Sequence, residues 1–232
     1  MWLAGSWSSN YSRRVVGTKD RIIDAAVELF NKGGVGPVTT NHIAAHLGMS
    51  PGNLYYHFKN KEEIIRAAFD RMNAEADVVW TKDPNAGVGT VHRMLTGNLG
   101  LYAKYLFFGR ELPALLRADA TLRRRYRKIH KMRMEQLEDT LLPLLALGIL
   151  KNLDANDLMT LIESAWVIGL FGLPYSELAG RGTSEDEIVT TARMVMHLFK
   201  PYMEPFAYAA LLELSDTDLQ GAPAALPLRA TS

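Results

Sequence analysis

Apolar residues recur at helical spacing along almost the whole chain, and glycine and proline cut that pattern into segments. Ile22, Ala25, Ala26, Leu29 and Phe30 share one face of a helix over 19–32, with Thr18 as its N-cap and Gly33-Gly34 as its stop. Thr39 caps a second, short helix running to Leu47; Gly48 ends it, because a left-handed cap suits a residue without Cβ. Ser50 followed by Pro51 reads as the N-cap and first-turn proline of a third helix through about His57. Asn60-Lys61-Glu62-Glu63 has the form of a capping box and opens a long fourth helix towards Trp80. Thr81-Lys82-Asp83-Pro84-Asn85 breaks it and marks a domain boundary.

Beyond that boundary the pattern stays helical and becomes more apolar. It predicts helices over about 87–108, 110–118, 120–147, 155–171, 185–200 and 202–214, with no convincing strand anywhere. Asp154 and Ser184 are the clearest caps, and Glu187 stands at the capping-box position after Ser184. Pro143 should kink or shorten the helix it sits in. The expected organisation is all-α: a disordered leader over 1–17, a three-helix head over 18–66 whose last helix continues to about 80, a helical bundle over 85–214, and a disordered tail over 215–232.

Composition narrows the function classes. An apolar share of 48% with 22% charged residues belongs to an ordinary globular protein. No apolar run approaches the roughly 18 residues needed to cross a bilayer, so no membrane partner is expected. Residues 1–12 lack the basic and apolar regions of a signal peptide. The absence of cysteine removes disulfides, thiolate metal sites and thiol nucleophiles, and fits a cytoplasmic location. There is no nucleophile elbow, P-loop or dinucleotide fingerprint, so neither an enzyme nor a cofactor is expected.

The segment from Thr39 to Phe58 carries the chemistry. Two short helices joined by Gly48-Met49-Ser50 have the helix-turn-helix layout. Ile43, Ala44 and Leu47 supply the inner face of the first, and Met49, Leu54 and Phe58 the matching face of the turn and second. Asn53, Tyr55, Tyr56 and His57 are then left to project outward, and in such motifs the second helix enters the major groove. Between Arg13 and Arg66 there are eight Lys/Arg against five Asp/Glu, a balance of +3. Arg13 and Arg14 read equally well as a basic arm that follows the DNA backbone or as part of a solvated leader.

The stretch VTTNHIAAHLGMSPGNLYYHFKNKEEII resembles the signature of the TetR family of repressors, and TKDRIIDAAVELFNKGG is similar to that family's first helix. The resemblance implies an all-α homodimer with one DNA-reading head and one ligand domain per subunit, acting on a palindromic double-stranded operator. Carried over by position, it implies phosphate contacts from Thr40, Tyr55, His57 and Lys61. Asn41 would reach a base, Pro51, Gly52 and Asn53 would meet base edges or a thymine methyl, Tyr56 would contact either phosphate or base, and Ser50, which opens the reading helix, is a further DNA-binding candidate. Pro51-Gly52 leaves few side-chain donors at the front of that helix, which shifts base reading towards Asn41, Asn53, Tyr56 and DNA shape.

Other features admit plainer readings. His42 and His46 stand four apart, a metal-pair spacing, but lack a third ligand and read as surface residues, so no metal is expected. The seven cations between Arg123 and Arg133 lie on a helix with an apolar stripe of Leu122, Tyr126, Ile129, Leu137 and Leu141. A solvated face explains them better than a second nucleic-acid surface. Among the C-terminal aromatics, Tyr102, Tyr105, Phe108 and Trp166, with Asn98, Arg110 and Glu163 as polar anchors, are candidates for an effector pocket. Residues 99–126 resemble the ligand domain of one TetR subfamily. The small residues Ala165, Gly169, Gly172 and Ala192 fit either packing within the chain or the four-helix dimer interface that the resemblance implies.

The expectation is therefore a sequence-specific transcriptional regulator, a repressor released from its operator by a small apolar or amphipathic effector. The alternative is a DNA-binding regulator whose C-terminal domain only dimerises or docks a protein. A pocket above roughly 300 Å³ would favour the first and a cavity-free core the second.

Overall fold

A computed structural model describes residues 17–80 and 87–218. Among the described residues the chain is all-α, with an isolated bridge between Leu150 and Met203 and no strand. It divides into two compact units, Met1–Phe69 and Asp70–Ser232. The division falls inside one helix; the expected break at 81–85 lies outside the described residues, as do residues 1–16 of the leader with Arg13 and Arg14.

The first unit holds α1 (Thr18–Gly33), α2 (Thr40–His46), α3 (Pro51–His57) and the start of α4 (Lys61–Val79). Ile22, Ala26, Phe30, Ile43, Leu54, Ile64 and Ala68 are fully buried at its centre, each large one contributing about 1.5–3 kcal/mol relative to exposure. Thr39 caps α2 reciprocally: its hydroxyl accepts the His42 N–H at 3.2 Å while His42 Nδ1 accepts the Thr39 N–H at 3.4 Å. Gly48 has φ +63°, a left-handed turn that strains any residue with Cβ. The Ser50 hydroxyl then caps α3 by accepting the Asn53 N–H at 3.2 Å, and Asn60 Oδ1 caps α4 through the Glu63 N–H at 2.9 Å. One expected cap is displaced: Thr18 is the first residue of α1, and Gly17 precedes it without a side-chain cap bond.

The second unit holds the end of α4, then α5 (Val88–Lys104), α6 (Leu106–Ala118), α7 (Ala120–Ala146), α8 (Ala155–Leu178), α9 (Glu185–Phe199), a 3-10 turn at Lys200–Tyr202, and α10 (Pro205–Asp218). Leu99, Leu141, Leu144, Leu158, Ile162 and Met196 belong to its main core. The first break falls at Tyr105 rather than near Gly109. Gly109 sits mid-helix because α6 and α8 approach closely there: a Cβ would lie 2.9 Å from the Leu170 carbonyl, the group that Pro174 leaves without its helical N–H. Helix α8 accordingly runs through Gly172 and Pro174 to Leu178, well past the expected end at 171.

Other boundaries shift for similar reasons. Pro143 lies in the last turn of α7, which ends at Ala146. Asp154 caps α8 by accepting the Asp157 N–H at 2.8 Å. Ser184 makes no side-chain cap bond; the Glu187 N–H donates to the Ser184 carbonyl at 3.0 Å, and the Glu187 carboxylate accepts from the Ser176 hydroxyl at 2.6 Å and from Arg181 at 3.2 Å. The last helix reaches Asp218, past the expected end at 214; the tail from 219 lies outside the described residues. By length and composition α8 is apolar enough to cross a membrane, yet Leu158, Leu161, Ile162, Leu170 and Leu173 are buried against this unit's own helices, as in a core helix.

Candidate nucleic-acid interface and ligand cavity

In the first unit the back of the helix-turn-helix is buried through Ile43, Ala44, Leu54 and Phe58. Its front is exposed: Asn41, Ser50, Pro51, Gly52, Asn53, Tyr55 and Tyr56 all face solvent, and Thr40 and His57 are half-buried. Tyr56 is 85% exposed, far more than an aromatic ring needs for packing. Its ring meets His57 edge-on at 5.1 Å between centroids. The Thr40 and Tyr55 hydroxyls lie 2.9 Å apart, so α2 and α3 present these two groups together. The Ser50 hydroxyl serves as the cap of α3.

Lys61 has a different place from the one expected. Its ammonium donates to the carbonyls of Val35 at 2.7 Å, Gly36 at 3.2 Å and Val38 at 2.8 Å. Those three bonds use all three of its protons. Its side chain is therefore a clamp on the loop between α1 and α2, a place other than the phosphate contact that the resemblance implies. The other candidate pair is also engaged: His42 serves the cap of α2, and His46 Nε2 lies 3.4 Å from Glu28. Among the described residues no three metal-ligating side chains converge.

The second unit holds a cavity of about 110 Å³. Its wall is almost wholly apolar, from Met94, Leu99, Leu141, Ile162 and Met196 among others, with Asn98, Tyr102, Thr140, Trp80 and Trp166 supplying the polar atoms. Asn98, Tyr102 and Trp166 thus line one cavity. Tyr105, Phe108, Arg110 and Glu163 do not line it. Tyr105 is 1% exposed and its hydroxyl joins Arg71 at 3.0 Å and Glu75 at 3.0 Å. Phe108 packs on Phe107 with ring centroids 4.2 Å apart. Arg110 is held by a bidentate pair with Glu177, and Glu163 faces solvent. Burial pushes the Tyr102 phenol well above its ordinary value, with the Arg133 charge pulling the other way.

The cations of α7 divide. Arg123 donates to the Leu116 carbonyl, Arg125 pairs with Asp70, and Arg133 is 2% exposed beside Asp77. Arg124, Arg127, Lys128 and Lys131 remain on one exposed face. The small residues are used within the chain: a Cβ on Gly172 would lie 2.5 Å from Thr191 Cγ2, Ala192 is fully buried, and Ala165 and Gly169 line the cavity.

A family profile described as "Bacterial regulatory proteins, tetR family" matches residues 22–68, and one described as "Bacterial transcriptional repressor" matches residues 65–211, more than half of the chain. The chain belongs to the TetR family. That is a family of transcriptional regulators, not of enzymes. Among relatives, the HTH-type transcriptional regulator QacR of Staphylococcus aureus is 38% identical over 65 residues, which are 28% of this chain and 35% of that protein. The match thus spans about a third of the relative's length. A TetR-family transcriptional regulator from Marinobacter aquaeolei VT8 superposes with a TM-score of 0.78 at 28% identity, covering 86% of this chain and 98% of its own. A SmeT–triclosan complex has the same fold, with a TM-score of 0.55 at 19% identity, covering 82% and 93%.

For a TetR-family chain, the cavity was only partly legible in sequence. Trp80 was visible as an aromatic at the end of α4 but gave no sign of facing a cavity, and Thr140 lies unremarked among the leucines of α7.

Proposed function

We propose that this TetR-family chain is a sequence-specific DNA-binding repressor that works as a homodimer on a palindromic operator. The observation that carries this reading is the exposed polar front of α2 and α3 over a fully buried apolar back. Asn41, Asn53 and Tyr56 would read base edges, with Pro51 and Gly52 allowing close approach. Thr40, Tyr55 and His57 would hold phosphates. Two such fronts must meet half-sites about 34–36 Å apart, which calls for a two-fold assembly. The exposed apolar residues of α8 and α9, Val167 at 53%, Tyr175 at 57%, Leu178 at 89% and Met194 at 43%, support those helices as the shared surface.

We further propose that a small apolar effector in the second unit's cavity releases the operator. The triclosan bound by a protein of this fold is in keeping with an apolar ligand. Asn98, Tyr102 and Trp166 are the proposed contacts. The ligand-independent alternative is favoured by one observation, the cavity's 110 Å³, which is below the roughly 300 Å³ of ordinary ligand pockets.

Footprinting on the DNA upstream of its own gene tests the reading. Two protected half-sites related by a two-fold axis are expected; a single unsymmetrical footprint, or none on any genomic fragment, contradicts it.

A further inference from the structure

The cavity wall includes Trp80, the residue immediately after α4. Its indole N–H donates to Asn98 Oδ1 at 2.9 Å, and Asn98 in turn donates to the Met94 carbonyl at 2.8 Å. Both polar groups that an incoming ligand would meet on this side are therefore already bonded to each other. On its other side the Trp80 ring lies 5.0 Å from the guanidinium carbon of Arg133, a cation–π contact.

Arg133 is an unusual residue to find at 2% exposure. It donates to Asp77 Oδ1 at 2.5 Å, to the Asn73 carbonyl at 3.3 Å and to Gln136 Oε1 at 2.8 Å. Asn73, Asp77 and Trp80 all lie on the last turns of α4 or just beyond, whereas Arg133 and Gln136 belong to α7. One buried cation thus fastens the end of α4 to α7 and backs a wall of the cavity. Crowding reinforces the fit: a Cβ on Gly97 of α5 would stand 2.7 Å from a methyl of Val79.

We infer that Trp80 is the ligand-sensing side chain of the cavity and that Arg133 is the positioning residue transmitting its displacement to α4. The ligand class follows from the wall. Among the described residues no charged side chain lines the cavity, and Arg133, against the Trp80 ring, is committed to Asp77, so an ionised ligand would meet no counter-charge from them. A volume of 110 Å³ holds a molecule of about one aromatic ring. The ligand is uncharged and apolar, and it seats against the Trp80 face by opening the Trp80–Asn98 bond. With Trp80 shifted, the cation–π contact and the two Arg133 bonds to α4 no longer fit one arrangement. The strained element is the helix that begins in the DNA-reading unit. This inference rests on the ligand-responsive reading above.

Toluene is a suitable probe, and the full chain supplies its own reporter, since Trp80 and Trp166 both line the cavity. Toluene binding is followed by tryptophan fluorescence and operator affinity by anisotropy, in wild type, Arg133→Met and Asp77→Asn. Arg133→Met keeps the apolar stem under Trp80, and Asp77→Asn, at a side chain 63% exposed, removes the counter-charge of Arg133 while keeping an amide oxygen that can accept its hydrogen bond. Saturable binding should weaken operator affinity about tenfold in wild type. Both variants should bind toluene within about threefold of wild type yet release DNA less than about twofold. Equal release in all three proteins would overturn the latch and leave ligand-responsive repression standing. Toluene that fails to bind wild type, or binds without releasing DNA, would overturn both.

Discussion

The hydroxyls of Thr40 and Tyr55 lie 2.9 Å apart, joining the first residue of α2 to the outer face of α3. This bond fixes the angle at which the front of the helix-turn-helix is presented. Single removals, Thr40→Val or Tyr55→Phe, should each lower stability by about 0.5–1.5 kcal/mol, and the double variant should cost less than the sum. Denaturant titrations of the four proteins give the coupling directly; strict additivity would mean that the two hydroxyls act independently.

Lys61 offers a sharper test, because two roles predict different outcomes. As a clamp on Val35, Gly36 and Val38, its replacement by Met should cost about 1–3 kcal/mol of stability and leave the salt dependence of DNA binding unchanged. A lysine that neutralises a phosphate would instead lower the slope of log K against log salt by about 0.9 per contact. Melting curves together with a salt series separate these cases.

Gly172 and Thr191 show how closely α8 and α9 approach. Gly172→Ala places a methyl 2.5 Å from Thr191 Cγ2, so the usual helical gain of up to about 1 kcal/mol from Gly to Ala should reverse into a loss of about 1–3 kcal/mol. Thr191→Ser removes Cγ2 and keeps the hydroxyl that donates to the Glu187 carbonyl at 2.8 Å. The double variant should therefore recover most of the loss in thermal melts; no recovery would place the clash elsewhere.

Alkaline pH should weaken the second unit through its buried phenols. Burial raises the Tyr102 and Tyr105 pKa values in the folded chain. The unfolded phenol ionises near ~10. Their contribution is thus fully present below about pH 10 and is lost as pH rises above it, because the unfolded chain then sheds protons that the folded chain keeps. Tyr102→Phe should flatten the fall of stability between about pH 9.5 and 11. A variant as alkali-sensitive as wild type would contradict this.

The helix-turn-helix was the most legible part of the chain. Its caps at Thr39 and Ser50, its left-handed turn at Gly48 and its buried face through Ile43 and Leu54 are all local features, written within a few residues of where they act. The second unit was less legible because its decisive contacts join distant positions. Gly109 looks like a helix end until Leu170 and Pro174 are placed against it. Arg110 looks like a ligand anchor until Glu177 arrives from α8. Lys61 matched a phosphate-binding position, and nothing in its neighbours foretold three carbonyls from the loop after α1. Trp80 gave no sign of its cavity because its partners Asn98 and Arg133 come from α5 and α7.

The most direct test of the central claim is the affinity of the purified protein for DNA flanking its own gene, measured against scrambled DNA of equal length across a salt series. A preference of about a thousandfold or more, abolished by Tyr55→Ala in a protein that still melts cooperatively, is the predicted result. Equal and equally salt-dependent binding to both DNAs, unaffected by Tyr55→Ala, would contradict it.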